Sequence, residues 1–251
     1  MNRAQTETLG FIFVFSLIVM TIGAVYAVGF PAMQDARDAE QTSNMERAFE
    51  VLDDNFDDIV YHGAPSRATE IKLSGGQLSV TDTTTIDVYV ENTSNTSRNT
   101  SFSASTRPIV YSTEETEFAL AFGAIVRSDR GNAVIRSRPN WIVDEQRTVI
   151  PFLLTVQGDG QTSIGGSGTM LVVGRGRPPG VTGSFEPNGS AARANVTVTI
   201  SSERADAWGR YMESRGMNAI DSDPSDGNVS YWFETDSITL PKRVIDVEFS
   251  S

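Results

Sequence analysis

Cysteine is absent from the 251 residues, which excludes a disulfide framework, a thiolate metal site and a cysteine nucleophile. Histidine occurs once, as His62, so any Ser-His-Asp triad would have to use it, and no Gly-x-Ser-x-Gly elbow accompanies it. Lysine is almost missing. Lys72 and Lys242 are the two lysines among 20 basic residues, and arginine supplies the rest. Basic charge as a whole falls short of the 32 acidic residues, giving a net charge of −12. Such a surface repels phosphates, so nucleic acid is not an expected partner. Dense carboxylates with little lysine suggest a protein suited to high salt, where ions screen the repulsion between acids.

Charge is also lacking over residues 9–30, LGFIFVFSLIVMTIGAVYAVGF. As a helix, 22 residues span about 33 Å, close to the roughly 30 Å hydrocarbon core of a bilayer. A core helix of a soluble domain would show a polar stripe, and this run has none. A secretory signal has an apolar region of only about 7–15 residues. This run is longer, although Val25-Tyr26-Ala27 has the small-residue character of a cleavage site. The reading is a transmembrane helix. Arg3 and the terminal amine precede it, whereas Asp35, Arg37, Asp38 and Glu40 follow. Positive charge stays inside, which places the N-terminus in the cytoplasm and the body outside the cell membrane. Gly23 and Ala27 lie four apart on one face, a spacing that lets membrane helices approach.

Just before the helix stands Arg3-Ala4-Gln5-Thr6-Glu7-Thr8-Leu9-Gly10. A basic residue, a small residue, a short polar stretch with one acid and then an apolar run resembles the class III signal of archaeal type IV pilin-like proteins. The resemblance implies that a prepilin peptidase cuts after Ala4, leaving Gln5 as the new terminus and the helix attached. It implies like or related pilin subunits as further partners, beside the lipid membrane. Glu7 would then be the third mature residue, whereas many pilins carry their acid at the fifth. The stretch from Arg3 through the helix to residues 46–73 also resembles a haloarchaeal family of membrane-anchored proteins of unknown function with pilin-like N-termini.

Beyond Pro31 the sequence is polar and helix-compatible. Met45, Phe49, Leu52, Phe56 and Ile59 then recur at spacings of 4, 3, 4 and 3, which makes one apolar face. That face could pack on partner helices or dock on the protein's own sheet. Asp53, Asp54, Asp57 and Asp58 fall largely off it and read as a solvated face rather than a metal site. His62-Gly63-Ala64-Pro65 ends the helix.

From residue 67 onward short β-type runs alternate with turns. Strands are expected at 68–73, 77–80, 84–91, 107–111, 118–127, 133–136, 148–157, 169–174, 194–200, 229–234 and 243–249. One helix is expected near 203–215. Ile86, Val88 and Val90, and likewise Val196, Val198 and Ile200, alternate with polar residues as half-buried antiparallel strands do. The expected fold class is mainly β with N-terminal α. A long transmembrane and stalk helix leads into an antiparallel β sandwich or barrel-like domain with one extra helix. The expected divisions are a leader at 1–8, the transmembrane helix at 9–30, a helical stalk at 31–62 and an exterior β-rich domain at 63–251.

Six asparagines begin Asn-x-Ser/Thr. Asn92, Asn95, Asn99, Asn188 and Asn228 are candidate glycosylation sites on exposed turns, the first three in one polar loop. Asn195 opens an expected strand and is set aside. Gly165-Gly166-Ser167-Gly168 lacks the Gly-Lys-Ser/Thr of a phosphate loop. The loop 174–180 with Arg175 and Arg177 reads as a solvated connection. Residues 221–227 space their acids like a calcium loop but are one residue out of register and contain Pro224. Trp141, Trp208 and Trp232 read as core or interface. No carboxylate pair is singled out for glycoside hydrolysis, and no catalytic, cofactor or metal residue is assigned. The expected role is a pilin-like, membrane-anchored surface subunit. The alternatives are a non-assembling anchored binding or envelope protein and an anchored hydrolase.

Overall fold

The structure, a computed structural model, describes residues 3–80, 83–93, 96–186 and 193–250, with 3–6 and 96 described by backbone alone. The chain divides into two compact units, Met1–Asn44 and Met45–Ser251. From Arg3 onward the first unit is helix. It belongs to α1 (Arg3–Tyr61), which passes through Pro31 without a break in helical conformation. A proline there forfeits one backbone hydrogen bond. The large apolar side chains from Leu9 to Phe30 are all solvent-exposed.

The second unit is mainly β. Its first sheet runs β1 (Ser66–Lys72), β12 (Thr169–Gly176), β17 (Ile238–Ser250), β10 (Phe152–Gln157). β9 (Thr148–Val149) and β13 (Gly180–Phe185) also pair with β17. The second sheet runs β11 (Ser163–Gly165), β2 (Gln77–Val80), β5 (Ile109–Ser112), β6 (Thr116–Ala121), β7 (Ala124–Asp129), β8 (Asn132–Ser137). The third runs β15 (Asn218–Asp221), β16 (Asn228–Thr235), β14 (Ala194–Ser201), β3 (Thr84–Asn92), β4 (Thr100–Thr106). Pairing is antiparallel except where β9 and β10 meet β17 in parallel.

Two cores result. One holds the inward rows of β3 and β14, helix α2 (Ala205–Ser214), Trp141 and Trp208. The other holds strands of the first and second sheets together with Met45, Phe49, Leu52, Phe56 and Ile59 of α1. Strand β10 serves both. Phe152 and Leu154 enter the first core and Leu153 the second. A strand covered on both faces reads as an unbroken apolar run, as Phe152-Leu153-Leu154 does. The heptad face of α1 therefore docks on its own unit instead of remaining free for partners. Gly174 on β12 makes this close approach possible, because a Cβ there would stand 2.7 Å from Phe56 Cε1.

The alternating strands and α2 lie where the sequence puts them. Two expected strands each divide in two. The run 118–127 is a hairpin of β6 and β7, turned by Phe122 (φ 50°) and Gly123 (φ 73°). Positive φ at both central residues is the twist-matched hairpin turn, but phenylalanine gives no sign of it in sequence. Burial of Phe122 against Phe152 and Trp208 offsets the backbone strain. The run 148–157 breaks at Pro151, which has no N–H for the ladder. Strands β4, β11, β13 and β15 have no counterpart among the expected ones. The polar loop expected around 92–101 is shorter than foreseen, since Asn92 closes β3 and Thr100 opens β4.

Candidate functional site

The end of α1 sits at the head of a cleft of about 630 Å³. Val60 and Tyr61 come from the last helical turn, Arg138 to Ile142 from the connection after β8, and Pro241 and Arg243 from β17. Trp141 is buried, stacked on Trp208 at 5.8 Å and edge-on to Tyr211 at 5.6 Å. This aromatic stack fixes one wall from below. Tyr61 and Ile142 remain half exposed at the surface.

Polar contacts hold the connection against α1. Asp53 Oδ2 accepts from Ser137 Oγ at 3.2 Å, and Asp57 Oδ2 accepts from Asn140 Nδ2 at 3.2 Å. Glu46 on the same flank meets Arg136 at 2.6 Å and Arg127 at 3.7 Å. Arg243 Nε donates to the Val60 carbonyl at 3.4 Å, one of the C-terminal carbonyls that a helix leaves without an internal partner. Among the described residues, neither Arg138 nor Arg243 has a carboxylate within ion-pair distance. The cleft thus offers an apolar interior with guanidinium groups at its rim. It can receive an apolar side chain flanked by carboxylates.

Burial raises the Asp53 carboxyl to about 7, with the neighbouring Asp57 charge adding to the rise and the Ser137 hydrogen bond opposing it. Between about pH 4 and 7 the folded state then binds more protons than the unfolded chain, so this group makes stability fall as pH rises. Asp57, also raised mainly by burial, acts in the same sense. Asp246, held down by its hydrogen bonds to Arg177, acts oppositely and stabilises above the ordinary carboxylate range. Asp53→Asn keeps the hydrogen-bond geometry and removes the buried charge. It should raise unfolding free energy at pH 8 by about 2–3 kcal/mol and leave stability at pH 4.5 nearly unchanged. Denaturant midpoints at the two pH values check this; an equal effect at both would refute the assignment.

A second cavity of about 530 Å³ is lined by Arg193, Arg215, Trp232 and Glu234, among others. Arg193 is shared between Glu145 at 3.7 Å, Glu234 at 3.4 Å and Asp236 at 3.5 Å, an exposed ion-pair network. Trp141 and Trp208 are core, and Trp232 is half-buried at this second cavity.

The residues singled out in the sequence do not converge. Arg3, Ala4 and Gln5 lie in α1 but their side chains fall outside the described residues; Glu7 is exposed on the same helix. Gly23 and Ala27 are exposed, and no atom stands within 4 Å of a Cβ placed on Gly23. Asn95 and Asn188 lie outside the described residues. Asn92 requires correction as a glycan site. It is 2% exposed, leaving no room for a sugar in the folded unit. Asn99 is half-buried, its amide donating to the Tyr89 hydroxyl at 2.9 Å and its oxygen accepting from the Asn92 N–H at 3.0 Å. Asn228, also half-buried, opens β16, accepts from Ser201 Oγ and donates to the Asp226 carbonyl. His62 is exposed and paired with Asp58 at 3.1 Å. Arg175 and Arg177 are bound in their own sheet by Glu248 and Asp246. In 221–227, Asp223 caps a short 3₁₀ turn by accepting from the Ser225 N–H. No group of three His, Asp or Glu side chains among the described residues could hold a metal ion. The cleft itself had no signal in sequence, since its residues come from separate stretches around 60, 140, 150 and 242.

Together these features define a mainly β protein with one N-terminal helix long and apolar enough to cross a membrane. The chain belongs to a family of unknown function, DUF7289, whose model matches residues 3–248 and so takes in the helix and the β unit together. An uncharacterized protein of Archaeoglobus fulgidus is 24% identical over 80 residues, covering 32% of this chain and 26% of that protein. The match thus spans about a quarter of that relative's length. No solved structure matches.

Proposed function

We propose that this protein is a pilin-like surface subunit, anchored in the cell membrane by α1 with its N-terminus in the cytoplasm and its β unit outside. The observation that carries the reading is the uncharged run 9–30, in which no part of the apolar window is covered by protein. Helical surface of that composition is covered by lipid or by other helices. Arg3-Ala4-Gln5 a few residues before it supplies the cut after Ala4, and Gly23 and Ala27 the small-residue face for neighbouring helices. The acid-rich, lysine-poor composition suits a high-salt exterior.

The test is the N-terminus and intact mass of the protein extracted from native membranes. A terminus at Gln5 with the helix retained is expected. An intact Met1 terminus overturns processing and leaves a plain anchored protein. The cleft favours a second reading, an anchored binding module that does not assemble. Shearing of surface fibres separates the two, because a subunit co-purifies with the fibres and a lone module stays with the membrane.

A further inference from the structure

The cleft beside α1 has a complement on the same molecule. Strand β15 lies at the edge of the third sheet, and every residue of it is exposed. Its pairing with β16 shifts between Ala219 and Asp221, so Ile220 is the extra residue of a β-bulge. A bulge leaves its residue out of the ladder and re-aims the side chain. Ile220 is 59% exposed, a large apolar side chain standing clear of any core.

Acids surround it. Asp221, Asp223 and Asp226 follow within six residues, and among the described residues none of them has an ion-pair partner. The turn that carries them is preorganised. Asp221 accepts from the Asp223 N–H at 3.1 Å, Asp223 from Ser225 at 3.0 Å and Asp226 from Asn228 at 2.9 Å. A short acceptor-rich loop with one protruding aliphatic side chain is thus held rigid before any contact is made, which lowers the ordering cost of binding.

We propose that the Ile220 bulge of one copy seats in the cleft of a second copy, its acids facing Arg138 and Arg243. The inference rests on the assembling, pilin-like reading and names the contact between its β units. Complementarity is twofold. The cleft has apolar walls and a cationic rim in a chain of net charge −12, and the bulge has an apolar tip and an anionic collar. Opposite charges fix register and favour this seat over the acidic remainder of the surface. Other exposed apolar side chains of the unit differ in charge or in setting: Val51 has acidic neighbours in Glu50 and Asp54 but lies within the helix α1, on no protruding loop. Val181 has no charged neighbour in β13, Val134 has Arg136 two residues on, and Tyr89, though flanked by Asp87 and Glu91, lies in β3, paired on both edges and bonded to Asn99. Because bulge and cleft are different surfaces, the contact is head-to-tail, the kind that propagates into rings or open filaments.

The lack of cysteine makes the test clean. Ile142→Cys and Ile220→Cys are placed together in the full chain, expressed in native membranes and treated with a mild oxidant. The double variant should give a ladder of dimers, trimers and larger species on a non-reducing gel, and each single variant should remain monomeric. Adding Arg138→Glu should weaken the ladder at least tenfold, and Asp221→Arg on that background should restore it. Arg138 is exposed, so its exchange does not threaten folding. An Ala27→Cys variant in the membrane helix runs in parallel and reports assembly through α1. A dimer in either single variant of Ile142 or Ile220, or a dimer through Ala27 without the ladder, overturns the bulge-in-cleft contact and leaves the assembly reading standing. Absence of cross-linked species from both experiments overturns the two together.

Discussion

Phe56→Ala should lower the unfolding free energy of the β unit by about 3–5 kcal/mol. Phe56 is 1% exposed and packs where β12 has Gly174, with Ile245 and Ile59 completing the contact. Truncation there removes an aromatic ring from the middle of the α1 face and leaves a cavity between helix and sheet. The neighbouring elements cannot collapse into it, because Glu46, Asp53 and Asp57 pin the same helix to the second sheet and the connection after β8. Denaturant unfolding of the full chain in lipid nanodiscs, followed by tryptophan fluorescence, measures the loss. Val51→Ala on the same helix is the control. Val51 is half exposed, and its loss should stay within about 0.5 kcal/mol. Equal effects at the two positions would show that residues 45–61 do not form part of the core.

The heptad stripe that Phe56 belongs to was legible in the sequence, but what it packs on was not. Spacing of 4 and 3 specifies an apolar face and is silent on whether the partner is another helix or a sheet of the same chain. Burial of Met45, Phe49, Leu52 and Phe56 in the unit's own core decides it. Strands β3 and β14 were legible because one face of each is wet, so polar and apolar residues alternate. The hairpin at Phe122 was hidden because a core aromatic occupies a position where sequence reading looks for Asn or Gly. Strand β4 was hidden in Ser and Thr, residues that read equally as loop. Its tertiary mark is Gly183, where a Cβ would overlap the Phe102 ring. Asn92 looked like a surface turn for the same reason, since the motif records chemistry and says nothing of burial. The cleft could not be read at all. Tyr61, Trp141 and Arg243 are separated by about 80 and 100 residues in sequence and meet through sheet pairings that close last in chain order.

Deleting residues 9–30 should convert the protein from one that withstands carbonate washing of membranes into one recovered in the soluble fraction. The expected effect is near-complete, because a span of 22 uncharged residues holds a protein in the bilayer almost irreversibly. A single charge should do far less. Val19→Arg places one cation mid-span at a cost of about 2.5–3.5 kcal/mol, and the remaining apolar residues outweigh it. Partition should therefore fail in steps, surviving one arginine and failing with the deletion. Fractionation of the three proteins with quantitation of pellet and supernatant reads this directly. A wild-type chain found in the supernatant and starting after Ala27 would mean that the apolar run is a cleaved signal. That result would remove the anchor and, with it, every helix contact assigned to Gly23 and Ala27. The folded β unit owes nothing to that run, since its cores begin at Met45. Its denaturant midpoint should then be the same with residues 9–30 present or deleted, and a drop in the deletion variant would show that the apolar helix contributes to the fold as well as to the membrane.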